Sequence, residues 1–293
     1  MSCAEKRKES GLLELIAWGR KELLGAGIDE AQEECERILM KLLGCKRSGL
    51  YLGEHEMAAS GVRGQFLTIL EKRISRKPLA YLLNEADFWQ ETLYVDERCL
   101  IPRPETEILV EQVLKAAGER AEKEFSFLDI GTGSGAIAIA ILRELRNSRA
   151  TLLDISKEAL EVARKNLERY VLGDRVSLIQ GNLFEPFSNG EKWDLIISNP
   201  PYLSKEDWKG VQEELSFEPR MALDGGEDGL DFYRKIVQGA KGHLSPGGLL
   251  ALEVGQGQAD MVSKWLQEAG YDNIQRFNDH LRVQRVVTAQ RHS

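Results

Sequence analysis

Residues 125–145 read FSFLDIGTGSGAIAIAILREL, an apolar run followed by a turn with three glycines and a second apolar run. The run at 125–130 predicts a strand, and the spacing after the turn predicts a helix from about Gly135 to Leu145. Glycines let the backbone approach a ligand closely, and a helix N-terminus offers free N–H groups. Dinucleotide-binding folds have G-x-G-x-x-G at this place, whereas the spacing here is G-x-G-x-G. By itself the turn is weak evidence for a nucleoside-type ligand.

An acidic residue near the end of the next strand strengthens this interpretation. Residues 151–155 have a second strand pattern, which contains Asp154. Dinucleotide-binding folds place there the acid that hydrogen-bonds the ribose hydroxyls. A purely structural turn is the alternative, but the glycine turn and Asp154 together favour a nucleoside-type cofactor.

From residue 125 onward, strand and helix patterns alternate. The runs Lys157–Tyr170 and Ala259–Ala269 predict helices. Such alternation implies a parallel sheet covered by helices on both faces, so the expected fold class is α/β. The further predicted strands are Val176–Gln180, Asp194–Ser198, Leu249–Val254 and Arg285–Thr288.

The first 84 residues have apolar positions at helical spacing instead. Residues 12–43 predict two helices broken by glycines, with Asp29 as the cap of the second and Gly44 at its end. A further helix is predicted from about Ser60 to Ser75. The expected domains are therefore a helical bundle at 1–84, a linker at 85–99 with a β-hairpin at about 86–95, and the α/β domain at 100–293.

The composition is that of an ordinary globular protein, with 42% hydrophobic and 29% charged residues in 293. No apolar stretch approaches the roughly 20 residues that span a bilayer, and the N-terminus lacks the apolar region of a secretory signal. Cys3, Cys35, Cys45 and Cys99 are scattered without metal-ligand spacing, and the four histidines do not cluster. We expect a cytoplasmic protein with no metal and no membrane contact.

Charge separates the two parts of the chain. Residues 1–84 hold 14 Lys/Arg and 12 Asp/Glu, while the whole chain holds 39 and 47, so residues 85–293 hold 25 and 35. The first part thus has a net charge of +2 and the second a net charge of −10. Nucleic-acid binding depends on Lys and Arg that neutralise phosphates, so this balance speaks against a nucleic-acid substrate.

A second motif, NPPY, follows the strand pattern Asp194–Ser198 and consists of Asn199, Pro200, Pro201 and Tyr202. Each proline fixes its own φ and lacks an N–H, so the loop is stiff and poor in competing donors. The Asn199 side-chain oxygen and a backbone carbonyl can accept the two hydrogens of a planar –NH2 group, and Tyr202 offers a flat face. A strand end broken by a Pro-Pro turn is the plainer interpretation of the tetrapeptide alone.

The choice of cofactor decides the chemistry. A nicotinamide enzyme has no use for the NPPY loop, whereas S-adenosylmethionine would bring an electrophilic methyl group to the same strand-end crevice. Adenine also presents a planar –NH2, so an adenine-N6 nucleic-acid methyltransferase is one alternative, which the charge balance disfavours. A binding module without catalysis is the other, and the intact glycine turn, Asp154 and Asn199 disfavour it.

With its further motifs, nearly the whole chain resembles the PrmC/HemK family, the release factor N5-glutamine methyltransferases. The motifs are LIPRPETE at 100–107, DIGTGSGAIAIA at 129–140, NPPY at 199–202, EP at 218–219, ALDGG at 222–226 and LEVG at 252–255. The NPPY loop alone is shared with DNA adenine-N6 methyltransferases and with ribosomal-protein glutamine methyltransferases. The PRPxTE form is closer to the release-factor branch.

The resemblance implies a Rossmann-like, S-adenosylmethionine-dependent methyltransferase domain with S-adenosyl-L-methionine as cofactor. The residues expected around the methionine part are Gly131, Thr132, Gly133, Ser134 and Gly135. Asp154 is expected at the ribose, and Asn182 and Leu183 beside the adenine, where the family usually has Asp in place of Asn182. The residues expected to bind the substrate and act in catalysis are Asn199, Pro200, Pro201 and Tyr202, with Asn199 also next to the cofactor.

The acceptor implied by the resemblance is the glutamine of the Gly-Gly-Gln loop in class I peptide chain release factors. Residues 1–84 would supply a second contact to the factor, and a stability or dimerisation role is the plainer interpretation of that domain. A ribosomal-protein glutamine is the alternative acceptor. No direct contact with nucleic acid is implied.

Overall fold

A computed structural model describes residues 11–52, 59–118, 124–188 and 190–292. These residues form two compact units, the first ending at Asn84 and the second beginning at Glu85. Within the described ranges, no helix is long and apolar enough to cross a lipid bilayer. The described His, Cys, Asp and Glu side chains form no group that could hold a metal ion.

The first unit is a bundle of helices, as its apolar spacing predicts. Its helices are α1 (Leu12–Gly25), α2 (Ala31–Leu43), α3 (Arg47–Tyr51), α4 (Ala59–Ile74) and α5 (Leu79–Leu83). They pack around one apolar core, in which Leu39 and Phe66 are fully buried. The five-residue helices α3 and α5 were not expected, because so short a segment shows no helical period.

The start of α2 differs from the expectation that Asp29 caps it. Glu30 occupies the N-cap position and makes no side-chain hydrogen bond to the helix. Glu33 and Glu34 lie in the first turn, where negative charge complements the helix dipole. The end of the helix agrees with the prediction, since Gly44 has a left-handed φ of 63° that glycine adopts without strain.

The second unit begins with an antiparallel hairpin of β1 (Ala86–Phe88) and β2 (Glu91–Leu93). The sequence interpretation assigned this segment to a linker. The hairpin instead packs into the second unit, because Phe88 and Leu93 are buried in the same core as the central sheet.

A seven-stranded sheet forms the centre of this unit, in the order β5-β4-β3-β6-β7-β9-β8. Its strands are β3 (Phe125–Ile130), β4 (Ser148–Asp154), β5 (Val176–Gln180), β6 (Trp193–Ser198), β7 (Leu244–Glu253), β8 (Tyr271–Asn278) and β9 (Gln284–Arg291). Strands β3 to β7 pair in parallel. The expectation of a parallel sheet fails at β9, which pairs antiparallel with both of its neighbours.

Helices cover both faces of the sheet, as predicted. They are α6 (Thr106–Ala117), α7 (Ala136–Glu144), α8 (Lys157–Arg169), α9 (Asp231–His243) and α10 (Ala259–Glu268). The two apolar cores lie on opposite faces, since neighbouring strand residues alternate between them: Phe127 belongs to one core and Leu128 to the other. The α/β fold class is therefore confirmed.

Three elements of this unit were not expected from the sequence. Strand β8 has only one buried position, Tyr271, and its polar sequence YDNIQRFN shows no apolar alternation. Two glycines interrupt the helical pattern of α9. Helix α6 does have apolar residues at helical spacing, including Leu109, Val110 and Val113, but the sequence interpretation treated this segment only as part of a motif. Strand β7 also begins at Leu244 rather than Leu249, because a register shift accommodates the intervening Pro-Gly-Gly.

Candidate active site

A cleft of about 230 Å³ opens at the carboxyl ends of the parallel strands. Strand β3 has β4 on one side and β6 on the other, so the strand order reverses there, which is where open α/β sheets bind ligands. The residues named from the sequence that line the cleft are Gly131, Gly133, Asp154, Asn182, Leu183, Asn199, Pro200 and Pro201. The structure thus brings together residues from four separate strand ends.

The glycine turn joins β3 to α7 in a conformation that requires glycine. Gly131, Gly133 and Gly135 have φ values of 71°, 56° and 82°, in the left-handed region that side chains disfavour. Gly135 is the N-cap of α7, so the N–H groups of the helix N-terminus lie next to the turn. Thr132 and Ser134 are buried and lie outside the lining of the cleft, so their side chains support the turn.

Two buried side chains hold the turn in place. The Thr132 hydroxyl donates to Asp129 Oδ2 at 2.6 Å, and the Asn166 side chain donates to the Ser134 carbonyl at 2.9 Å. Asp129 is fully buried, and burial raises its pKa to about 7. The sequence interpretation gave no role to Asp129, although it directly precedes the turn in the motif, and it missed Asn166 because that residue comes from α8.

Asp154 uses both carboxylate oxygens to organise the cleft. Its Oδ2 accepts the Gly133 N–H at 2.9 Å, and its Oδ1 accepts the Ser156 N–H at 2.9 Å. Burial raises the pKa of Asp154, and these backbone donors oppose that shift. Each oxygen keeps a second lone pair, so the carboxylate can accept further hydrogen bonds from a ligand in the cleft.

Asn182 lies after β5, in a tight turn at the far end of the cleft. Its Nδ2 donates to Glu185 Oε1 at 2.6 Å. A carboxylate only accepts, so this contact fixes the amide with its nitrogen on Glu185 and leaves Oδ1 as an acceptor. Leu183, which also lines the cleft, has an unusual φ of 50°.

The NPPY loop follows β6, the neighbour of β3 in the sheet. Asn199, Pro200 and Pro201 line the cleft, and Asn199 Nδ2 donates to Thr106 Oγ1 at 3.1 Å. Tyr202 is outside this lining and instead borders a neighbouring pocket of about 240 Å³. Burial, together with the charge of Glu253, raises the pKa of Tyr202 to about 12. The tetrapeptide therefore separates two pockets.

Backbone hydrogen bonds join the ALDGG motif to the residue that follows the NPPY loop. The Leu203 N–H donates to the Leu223 carbonyl, and the Gly225 N–H donates to the Leu203 carbonyl, both at 2.9 Å. Gly225 must be glycine, because an added Cβ would lie 2.8 Å from the Tyr202 Cα. The Gln258 side chain also donates to the Tyr202 carbonyl at 2.9 Å.

The LIPRPETE and EP motifs meet across the mouth of the cleft. Glu218 is buried, accepts the Ile101 N–H at 3.1 Å and forms an ion pair with Arg103. Leu100 and Pro219, one residue from this contact on either segment, line the cleft. The ion pair therefore fixes two segments that the sequence separates by more than a hundred residues.

The cleft offers positioning groups rather than a nucleophile. Among the described residues that line it, Asp154 has the only carboxylate and none is His. Cys99 is also in the lining, but burial raises the pKa of its thiol to about 12, so it stays protonated. The arrangement can bind an elongated ligand between the glycine turn and Asn182 and can hold a second group against Asn199.

Comparison with known proteins identifies both units. A family model described as the PrmC N-terminal domain matches residues 14–83, and one described as the methyltransferase small domain matches residues 104–227. Among solved structures, a methyltransferase from Pyrococcus furiosus has a similar fold, with a TM-score of 0.51, 19% identity, and coverage of 69% of this chain and 89% of that one.

Curated relatives extend the similarity over the full length. A release factor glutamine methyltransferase of Geobacter sulfurreducens is 39% identical over 290 residues, which are 97% of this chain and 98% of the relative. Another from Bacillus cereus is 37% identical over 263 residues, 87% of this chain and 90% of the relative. This chain therefore belongs to the release factor glutamine methyltransferase family.

Proposed function

We propose that this protein transfers a methyl group from S-adenosylmethionine to the side-chain nitrogen of the glutamine in the Gly-Gly-Gln loop of class I peptide chain release factors. The observation that carries the proposal is the position of Asn199 in the same cleft as the glycine turn, at the end of the strand next to β3, with its amide nitrogen occupied by Thr106. The amide oxygen is thereby left to accept from an incoming –NH2 group.

The cleft residues fit the cofactor. The left-handed Gly131 and Gly133 let the backbone approach the methionine part, next to the N-terminus of α7. The second lone pairs of Asp154 suit the two ribose hydroxyls. The Asn182 oxygen, oriented by Glu185, replaces the carboxylate usual in the family as the acceptor for the adenine amino group. When bound, S-adenosylmethionine supplies an electrophilic methyl group on a positively charged sulfur.

Asn199 and Pro200 supply the help that a glutamine nitrogen needs. An amide nitrogen is a poor nucleophile, because its lone pair is delocalised into the carbonyl. The Asn199 side-chain oxygen and the Pro200 carbonyl would accept its two hydrogens, orient the nitrogen and stabilise the positive charge that develops on it. No strong base is needed before attack, because the nitrogen becomes acidic only as it gains the methyl group and then releases its proton to water, which agrees with a lining without His.

The first unit offers a surface for the release factor. Leu13 and Leu24 lie on α1, 49% and 46% exposed. A separation of eleven residues is just over three helical turns, so both side chains lie on one face. We assign this face to contact with the factor, and we place the reaction in the cytoplasm, without direct contact with nucleic acid. The net charge of −10 on residues 85–293 supports this choice of a protein acceptor.

The decisive experiment offers labelled S-adenosylmethionine together with purified release factor, ribosomal proteins or DNA, and locates the methyl group by mass spectrometry. We expect the label on the Gly-Gly-Gln glutamine. Asn199→Ala should lower turnover by about 100-fold, the effect of removing one stabilising group at a reacting centre. Asn273→Ala removes an exposed amide on β8 and should leave turnover unchanged. Label on DNA or on ribosomal proteins alone would refute the proposal.

A separate test addresses the first unit. Changing Leu13 and Leu24 to Glu together should raise KM for the release factor about tenfold, because charges would be buried in the contact, while kcat stays near wild type. Leu281→Glu, at a position 84% exposed in the second unit, is the matched control. An unchanged KM for the double variant would remove α1 from the binding surface.

A further inference from the structure

The proposed reaction requires one of the two possible orientations of the Asn199 side-chain amide. A side-chain amide can turn by 180° and exchange its oxygen with its nitrogen, so Asn199 could present either an acceptor or a donor to the cleft. Its Nδ2 donates to Thr106 Oγ1 at 3.1 Å. A hydroxyl can accept or donate, so Thr106 fixes the amide only if its own hydrogen is committed elsewhere.

Glu253 is the acceptor for the Thr106 hydroxyl hydrogen. It ends β7, is only 2% exposed and receives a hydrogen bond from the Thr106 side chain. An ionised carboxylate can only accept, so the Thr106 hydrogen points to Glu253 and its lone pair to Asn199. Among the described residues, Glu253 Oε2 has no hydrogen-bond partner. The hydrogen bond from Thr106 therefore replaces part of the solvation that the carboxylate loses on burial.

We propose that Thr106 and Glu253 are positioning residues, which hold the Asn199 amide with its oxygen toward the acceptor nitrogen. The inference rests on the proposed function. Neither residue lines the cleft, so both act through Asn199. The chain of contacts runs from the end of β7 through the first residue of α6 to the residue after β6; β6 and β7 are neighbours in the sheet, and α6 packs against β7.

Thr106 and Glu253 fix the orientation of the Asn199 amide only while Glu253 is ionised. Burial raises the pKa of Glu253 to about 7. A protonated Glu253 could donate to Thr106, which would free the Thr106 hydrogen for a turned amide. The titratable and charged groups that act on Glu253 are Arg103 and Glu105 ahead of α6, Arg285 on β9, Tyr202 in the loop and Tyr233 on α9. Turnover should therefore rise with pH through about 7.

The test uses the full chain with Thr106→Val, Thr106→Ser and Glu253→Gln. Thr106→Val keeps the shape but loses the hydroxyl, so kcat should fall about 10- to 100-fold while the Kd for S-adenosylhomocysteine stays within about twofold. Thr106→Ser should recover most of the lost rate. Glu253→Gln should lower kcat and remove the rise through pH 7. A wild-type kcat in Thr106→Val, or equal damage in Thr106→Ser, would overturn the inference.

A readout without substrate separates this inference from the proposed function. The side-chain amide signals of Asn199 in a ¹⁵N NMR spectrum, assigned by their loss in Asn199→Asp, report the contact to Thr106 directly. They should shift in Thr106→Val and remain near their wild-type positions in Thr106→Ser. Unmoved signals in Thr106→Val refute the inference even if the release factor is methylated. If wild type methylates no release factor, only the proposed function fails.

Discussion

Replacing Asp154 with Asn tests the cofactor side of the cleft with the smallest possible change in shape. Each carboxylate oxygen of Asp154 accepts one backbone N–H at 2.9 Å, from Gly133 and from Ser156. An amide has a single oxygen. In the variant, one of the two backbone donors must therefore face the –NH2 group, which also cannot accept from a ribose hydroxyl.

The size of both effects follows from these contacts. A buried N–H without an acceptor costs about 1–3 kcal/mol, which is the expected drop in the free energy of unfolding. A hydrogen bond from the ribose to a charged acceptor contributes about 1.5–3 kcal/mol. Since about 1.4 kcal/mol is a factor of ten, S-adenosylhomocysteine should bind about 10- to 100-fold more weakly.

Isothermal titration calorimetry with S-adenosylhomocysteine measures the affinity, and urea denaturation measures the stability. Glu168→Gln is the control, an exposed carboxylate near the other end of α8. An analogue without ribose hydroxyls sharpens the test. Wild type should bind it as weakly as Asp154→Asn binds the full ligand, and the variant should lose little further affinity for it.

Two results would refute the reasoning. One is an Asp154→Asn variant that binds S-adenosylhomocysteine within about threefold of wild type. The other is a variant that still discriminates against the analogue as strongly as wild type does, because the ribose contact would then lie elsewhere.

Three further predictions concern stability. Gly239→Ala on α9 should lower the free energy of unfolding by about 1–2 kcal/mol in urea, because its Cβ would lie 2.2 Å from the Phe184 ring and overpacking exceeds the gain in helix propensity. Glu34→Gln removes a charged contact in which the Nε–H of the buried Arg73 donates to both carboxylate oxygens, and it should cost about 1.5–3 kcal/mol, with faster hydrogen exchange confined to the first unit. Asp129 has a folded-state pKa of about 7, above its unfolded value, so wild type should lose stability as pH rises from about 4 to 7; Asp129→Asn should flatten that part of the pH–stability curve.

Matched variants control these predictions. An added Cβ at Gly242, in the same helix, has nothing within 4 Å, so Gly242→Ala should be neutral or stabilising. Glu33→Gln changes an exposed neighbour on α2 and should leave stability unchanged. Equal effects of Gly239→Ala and Gly242→Ala, equal effects of Glu34→Gln and Glu33→Gln, or parallel pH curves for wild type and Asp129→Asn would contradict the respective reasoning.

Many residues of the candidate cleft could be located from the sequence, because each belongs to a short local motif. The glycine turn and the NPPY loop each follow a strand directly, Asp154 is the last residue of a strand, and the carboxyl ends of parallel strands meet at one edge of a sheet. Apolar runs of five or six residues were enough to place those strands. The sequence interpretation missed the polar strand β8, because a strand at the edge of a sheet requires no apolar pattern. It also missed the antiparallel direction of β9, because the residues of one strand do not determine the direction in which it pairs.

The sequence by itself determined the α/β plan, the separate helical unit and the residue types at the strand ends, since periodicity and turn chemistry act over a few residues. Only the tertiary structure decided how those residues are held. Thr106 contacts Asn199 across 93 positions and Arg103 contacts Glu218 across 115. Such partners depend on which strands become neighbours, and burial then sets their pKa values and the orientation of the amide on which the proposed reaction depends.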